Sequence, residues 1–135
     1  MASASNPGQA AEPSRRARGF LLQVLPAIGW LAAIFIGGGA DMGPPEVDVG
    51  LPFDKVQHVV AFGVLGYLLF RALRHVLPGS GKQRQIALSA FLSVSMGILL
   101  ELYQLGLPHR SADIADVVAD AVGAGAAALW LLWRP

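Results

Sequence analysis

The segment from Met96 to Gly123, MGILLELYQLGLPHRSADIADVVADAVG, constrains the fold more than any other. Two apolar runs meet at a turn from Gly106 to Arg110, yet they carry Glu101, Gln104, Asp113, Asp116 and Asp120. On helices, Glu101 and Gln104 share a face at i,i+3, and Asp113, Asp116 and Asp120 share one at i,i+3,i+7. Asp54 and His58, at i,i+4 in an earlier run, do the same. A carboxylate turned toward lipid costs about 2.5–3.5 kcal/mol even on the mildest scale. These faces are therefore expected to turn inward, making a polar pocket or a paired network inside an apolar bundle.

The bundle is expected to lie in a membrane. Of 135 residues, 54% are hydrophobic and 14% charged, more apolar surface than a soluble fold of this size can hide. A hydrocarbon core of ~30 Å takes ~20 helical residues, and four runs reach that length, at about 20–37, 56–77, 86–107 and 112–133. The expected fold class is all-α integral membrane, with four transmembrane helices and short loops. Residues 1–18 read as a flexible cytoplasmic tail and 19–135 as the membrane domain. The run from Phe20 to Gly37 exceeds a signal-peptide core of roughly 7–15 residues and reads as a retained span, kinked at Pro26. Asp54 is the expected cap of the second span, Asp41 to Phe53 an exposed loop, and Pro78 to Arg84 a basic loop. Lys and Arg concentrate in the tail, between Arg71 and Arg84, and at Arg134, which predicts cytoplasmic N- and C-termini. Trp130 and Trp133 suit either the inner interface or packing against a neighbouring helix.

With that topology the polar residues fall in one half of the membrane. His58 lies ~6 Å, Glu101 ~10 Å and Asp120 ~12 Å inside their spans from the outer face. Gly123 and Gly125, with Ala119, Ala121 and Ala127, give small-xxx-small spacing for close helix packing, in the bundle or against a second copy of the chain. A net charge of +1 supplies no basic face for nucleic acid, and the absence of cysteine removes thiolate and disulfide chemistry. No phosphate loop, HExxH or GxSxG motif is present, so neither a cofactor nor a metal is expected.

The order of motifs carries a resemblance. Asp54-Lys55-x-x-His58, Phe62-Gly63-x-Leu65-Gly66, Glu101-x-x-Gln104, Arg110, and Asp113-x-x-Asp116-x-x-x-Asp120-x-x-Gly123 resemble the VanZ-like family of small bacterial membrane proteins. The likeness spans about Asp54 to Gly123. It implies a four-helix protein of the bacterial cell (inner) membrane, whose namesake is associated with low-level resistance to the glycopeptide teicoplanin. The family commonly has Asn where this chain has Asp120, so no role is carried over to that position.

The expected ligand-binding set is Asp54, Lys55, His58, Glu101, Gln104, Arg110, Asp113, Asp116 and Asp120. Arg110 suits either an ion pair with Asp113 or Asp116, or an anion clamp with Lys55. His58 is either a helix-face histidine satisfied by a carboxylate or, beside Glu101, half of a general acid–base pair. The leading expectation is an outward-facing pocket that recognises an envelope lipid or lipid-linked precursor by its head group, without catalysis. The alternatives are an intramembrane acid–base enzyme, with Glu101 and His58 as candidate catalytic residues, a proton or ion carrier that uses the carboxylates as a relay, and a purely structural protein.

Overall fold

The computed structural model describes residues 14–40, 53–108 and 111–135. Helices are α1 (Arg15–Gln23), α2 (Leu25–Gly39), α3 (Phe53–Val76), α4 (Lys82–Leu105) and α5 (Ile114–Trp133), and no strand occurs among the described residues. Four helical stretches are long and apolar enough to cross a membrane: Ala17–Gly39, which combines α1 and α2, and then α3, α4 and α5. Most of the loop expected from Asp41 to Phe53, the first thirteen residues of the tail, His109 and Arg110 lie outside the described residues.

The first span breaks where proline dictates. Pro26 has no N–H to give to the carbonyl four residues earlier, and α1 passes into α2 through a turn at Val24. The freed Leu22 carbonyl is rescued from a neighbouring helix, accepting from Arg71 Nη2 at 3.0 Å, while Arg71 Nε donates to Gln23 Oε1 at 3.0 Å. Helix begins earlier than the tail reading expected. Ser14 Oγ accepts from Ala17 N at 3.3 Å and starts α1 at Arg15, so Arg15 to Arg18 are helical rather than loose.

Two other boundaries differ from expectation. Asp54 is not a cap: α3 starts at Phe53 and Asp54 lies in its first turn, where its charge meets the positive end of the helix dipole. Lys82, Gln83 and Arg84 are not loop either. Gly81 takes φ +77°, a left-handed conformation open to glycine, and this reverses the chain directly into α4. Gln85 Nε2 then donates to Leu77 O at 2.8 Å across the joint.

α3, α4 and α5 form an antiparallel core, with α5 packed on both others, and α1–α2 leans on α3 and α4 from outside without reaching α5. Between α3 and α5 the approach is limited by backbone. A Cβ on Gly123 would fall on Val59 O and lie 2.9 Å from Gly63 N. Gly125, read as part of the same packing stripe, has nothing within 4 Å of a built Cβ and contributes no contact. Phe62, Leu65 and Leu100 fill the core toward one end, and Phe70, Ile86 and Leu131 toward the other. Ser93 Oγ, fully buried, donates to Phe62 O at 3.0 Å, an interhelical bond of the kind that holds helices together in lipid. The outer surface keeps its large apolar side chains, including Ile36, Phe91, Leu102, Val118 and Leu129, as a lipid-facing belt requires.

Candidate functional site

The start of α3, the end of α4 and the start of α5 lie together, and their polar residues form one seam. Asp113 caps α5, its Oδ1 accepting from Ala115 N at 2.8 Å. Its own N–H donates to Glu101 Oε2 at 2.7 Å, which ties α4 to the first turn of α5. Lys55 reaches across from α3. Its Nζ donates to Asp113 Oδ2 at 2.7 Å and to Asp116 Oδ1, and lies 3.6 Å from Asp54 Oδ2. The Lys55 ammonium, helped by the Ala115 N–H, holds the Asp113 carboxyl below its ordinary value of 3.8.

One helical turn deeper, His58 Nδ1 and Asp120 Oδ1 are 2.8 Å apart, and His58 Nε2 lies 3.8 Å from Asp116 Oδ2. Asp120 is fully buried. Its carboxylate fits there because α4 has Gly97 opposite, where a Cβ would fall on Asp120 Oδ2. Asp120 Oδ2 and Glu101 Oε1 are buried with no hydrogen-bond partner among the described residues. Gln104 points the other way, donating from Nε2 to Gly38 O at 3.0 Å and so fastening α2 to α4.

A cavity of about 540 Å³ opens between α2, α3 and α4 beside this seam. Its polar lining is Asp54, Gln57, His58 and Gln104, and its walls are apolar, with Trp30, Ile34 and Phe62 prominent. Trp30 is held in place by donating from Nε1 to Ala61 O at 2.9 Å.

The nine residues expected at the site thus divide. Asp54, His58 and Gln104 line the cavity; Lys55, Asp113, Asp116, Glu101 and Asp120 are brought together in the seam, bonded mostly to one another; Arg110 lies outside the described residues. Among the described residues Lys55 is hydrogen-bonded to both Asp113 and Asp116, and the pairing expected of Arg110 falls outside them. His58 pairs with Asp120 rather than with Glu101, whose bonded partner is the α5 cap. Gly97, Gly38 and Trp30 were not foreseen. A signal existed for Gly97, which precedes Glu101 by four residues and so shares its helix face.

One donor atom each from Asp54, His58 and Asp116 lies within 4.8 Å of the others, a spacing a divalent ion can bridge. The Lys55 ammonium already sits against Asp54 and Asp116 and supplies positive charge there. The seam remains acidic, with Asp54, Glu101, Asp113, Asp116 and Asp120 facing Lys55 and His58.

Fold and site together define an all-helical, multi-pass membrane protein whose described interhelical ion pairs gather at one end of the bundle. Within that class the chain belongs to the VanZ/LLP1 family, whose model matches residues 3–134, essentially the whole length. Neither curated proteins nor solved structures gave a significant match.

Proposed function

We propose that the protein is a binding module of the bacterial inner membrane, with both termini cytoplasmic, which seats the head group of an envelope lipid or lipid-linked precursor in the cavity beside His58. The observation that carries this reading is the cavity itself: about 540 Å³, apolar walls, and Asp54, Gln57, His58 and Gln104 converging on it. That combination is the ordinary form of a small-ligand site. Because carboxyls outnumber bases among the described residues at this end, the complementary head group presents hydroxyls or an amine to the cavity rather than bare phosphate. A contribution to teicoplanin tolerance, by sequestering such a lipid, belongs to the same proposal.

The test is mass spectrometry of lipids retained by gently purified protein, comparing wild type with Gly37→Leu. Gly37 lines the cavity and has nothing within 4 Å of a built Cβ, so leucine occupies the cavity without disturbing the charged seam. A lipid class enriched on wild type and lost from Gly37→Leu is the expected result. Identical lipid profiles would refute the reading.

A second reading rests on the dyad. A buried aspartate fixing a histidine that reaches a cavity is the arrangement of an acid–base catalyst, and Asp120 with His58 has it. An intramembrane enzyme of this kind loses turnover of an added lipid-linked substrate in Asp120→Asn while still binding it. Equal turnover by both proteins would exclude it.

A further inference from the structure

The opposite end of the bundle carries the reverse charge. A groove of about 660 Å³ lies where α3 ends, α4 begins and α5 ends, lined by Arg71, Arg74, His75, Lys82 and Arg134. Its floor is apolar and aromatic, made by Tyr67, Phe70 and Leu131. None of these basic side chains meets a carboxylate among the described residues. Arg71 is engaged with Gln23 and the Leu22 carbonyl; Arg74 lies 5.9 Å from the Phe70 ring centre and Arg134 4.5 Å from that of Trp130; Lys82 donates to Arg134 O. The described acidic side chains all lie at the other end, and although Pro135 also lines the groove, no ion pair to these basic side chains occurs among the described residues. Cations held against neutral partners keep their attraction for an anion.

From this we infer that the groove is a binding site for the phosphate of an anionic glycerophospholipid, separate from the cavity beside His58. Phosphate is the anion the fork of an arginine fits, and a basic pocket between transmembrane helices is a known form of lipid head-group site. The floor argues for a lipid rather than free phosphate. Tyr67 packs edge-on against Trp130 with ring centres 5.6 Å apart, and Trp133 beyond it is 88% exposed, which sets this end at the depth where aromatic rings meet lipid head groups. A phosphodiester placed among Arg74, Lys82 and Arg134 leaves its glycerol and acyl stems against Phe70 and Leu131. A zwitterionic lipid brings its own cation into the same groove and is disfavoured.

The experiment uses the full chain in vesicles of mixed phosphatidylcholine and phosphatidylglycerol, followed by extraction and mass spectrometry of the retained lipid. Wild type retains phosphatidylglycerol in preference to phosphatidylcholine. Arg74→Gln with Lys82→Gln, both exposed side chains that do not hold α1, reduces that preference by about thirtyfold at low ionic strength. Arg74→Lys with Lys82→Arg keeps charge and keeps the preference, which separates lost binding from lost folding. Gly37→Leu, which fills the other cavity, leaves this readout unchanged, so the two sites fail independently. Retention of the two lipids in vesicle proportion by wild type, or undiminished preference in the glutamine variant, overturns the inference. Complete displacement of phosphatidylglycerol by millimolar inorganic phosphate that itself stays bound overturns the lipid assignment in favour of a free-phosphate site.

Discussion

Replacing Lys55 by methionine tests the seam most directly, because the methionine keeps the aliphatic stem and removes the cation. Lys55 is 29% exposed at its side chain, Asp113 50% and Asp116 10%, so the two bonds are unequal. The half-exposed Asp113 contact is screened by solvent and adds little. The Asp116 contact, charge-assisted and nearly dry, is worth about 1.5–3 kcal/mol. Lys55→Met should therefore cost about 1.5–3 kcal/mol, most of it the penalty of a buried carboxylate that has lost its hydrogen-bonded cation. Asp116→Asn removes that carboxylate, so adding it to Lys55→Met should do no further harm and should recover part of the loss. The expected coupling in the double-mutant cycle is about 1.5–2 kcal/mol. This exceeds the average of about 0.6 kcal/mol for interhelical hydrogen bonds in a membrane, so the outcome distinguishes a charged bond from an ordinary one. Unfolding by sodium dodecyl sulfate in mixed micelles, followed by helicity and by fluorescence of Trp30, Trp130 and Trp133, gives the four free energies. Effects of the two substitutions that add to within about 0.5 kcal/mol would refute the pairing.

The same unfolding assay separates two glycines on α5. Gly123→Ala forces a methyl onto the Val59 carbonyl and should destabilise by about 1–3 kcal/mol, since backbone cannot rotate away as a side chain can. Gly125→Ala, with open space around it, should be neutral or stabilise by up to about 1 kcal/mol through helix propensity; equal effects at both positions would contradict the packing described. Acid titration supplies a third outcome. Asp113 is held below its ordinary value of 3.8 by Lys55, so its share of stability is complete above 3.8 and disappears as pH falls through the lower folded value. A stability profile measured from neutral pH to about pH 2 should keep that contribution to a lower pH in wild type than in Lys55→Met, and superimposable acid limbs would remove the basis for it.

Much of the fold was legible because lipid makes length and apolarity decisive. Four spans, the kink at Pro26 and the gathering of polar residues at one end follow from counting residues and asking where a carboxylate can go. Pairing was harder. Glu101 and Asp120 are on different helices, and which of them His58 meets depends on how far each helix is rotated about its axis, a quantity that i,i+3 and i,i+4 spacing leaves free. The same limit explains Gly125: small-residue spacing marks a possible face, but only the rotation of α5 decides that Gly123 touches α3 and Gly125 faces open space. Asp54 looked like a cap because its residue type favours one. Asp113 has the same chemistry and is the cap, since there the chain enters the helix from extended backbone.

Packing and chemistry in the seam depend on one another. Aspartate is short, so Asp120 can reach His58 only if α3 and α5 run close, and the backbone contact of Gly123 with Val59 and Gly63 provides that closeness. Gly97 does the equivalent on α4, making room for the second oxygen of the same carboxylate. Gly123 thus sets how closely α5 approaches α3, and Gly97 leaves the space that the carboxylate fills. An asparagine there would keep the shape, and its amide oxygen would still accept from His58 Nδ1, so the same space would serve either residue. What aspartate alone adds is a negative charge on the atom that orients the imidazole. Asp120 does not itself line the cavity; it meets the cavity edge through His58, which does.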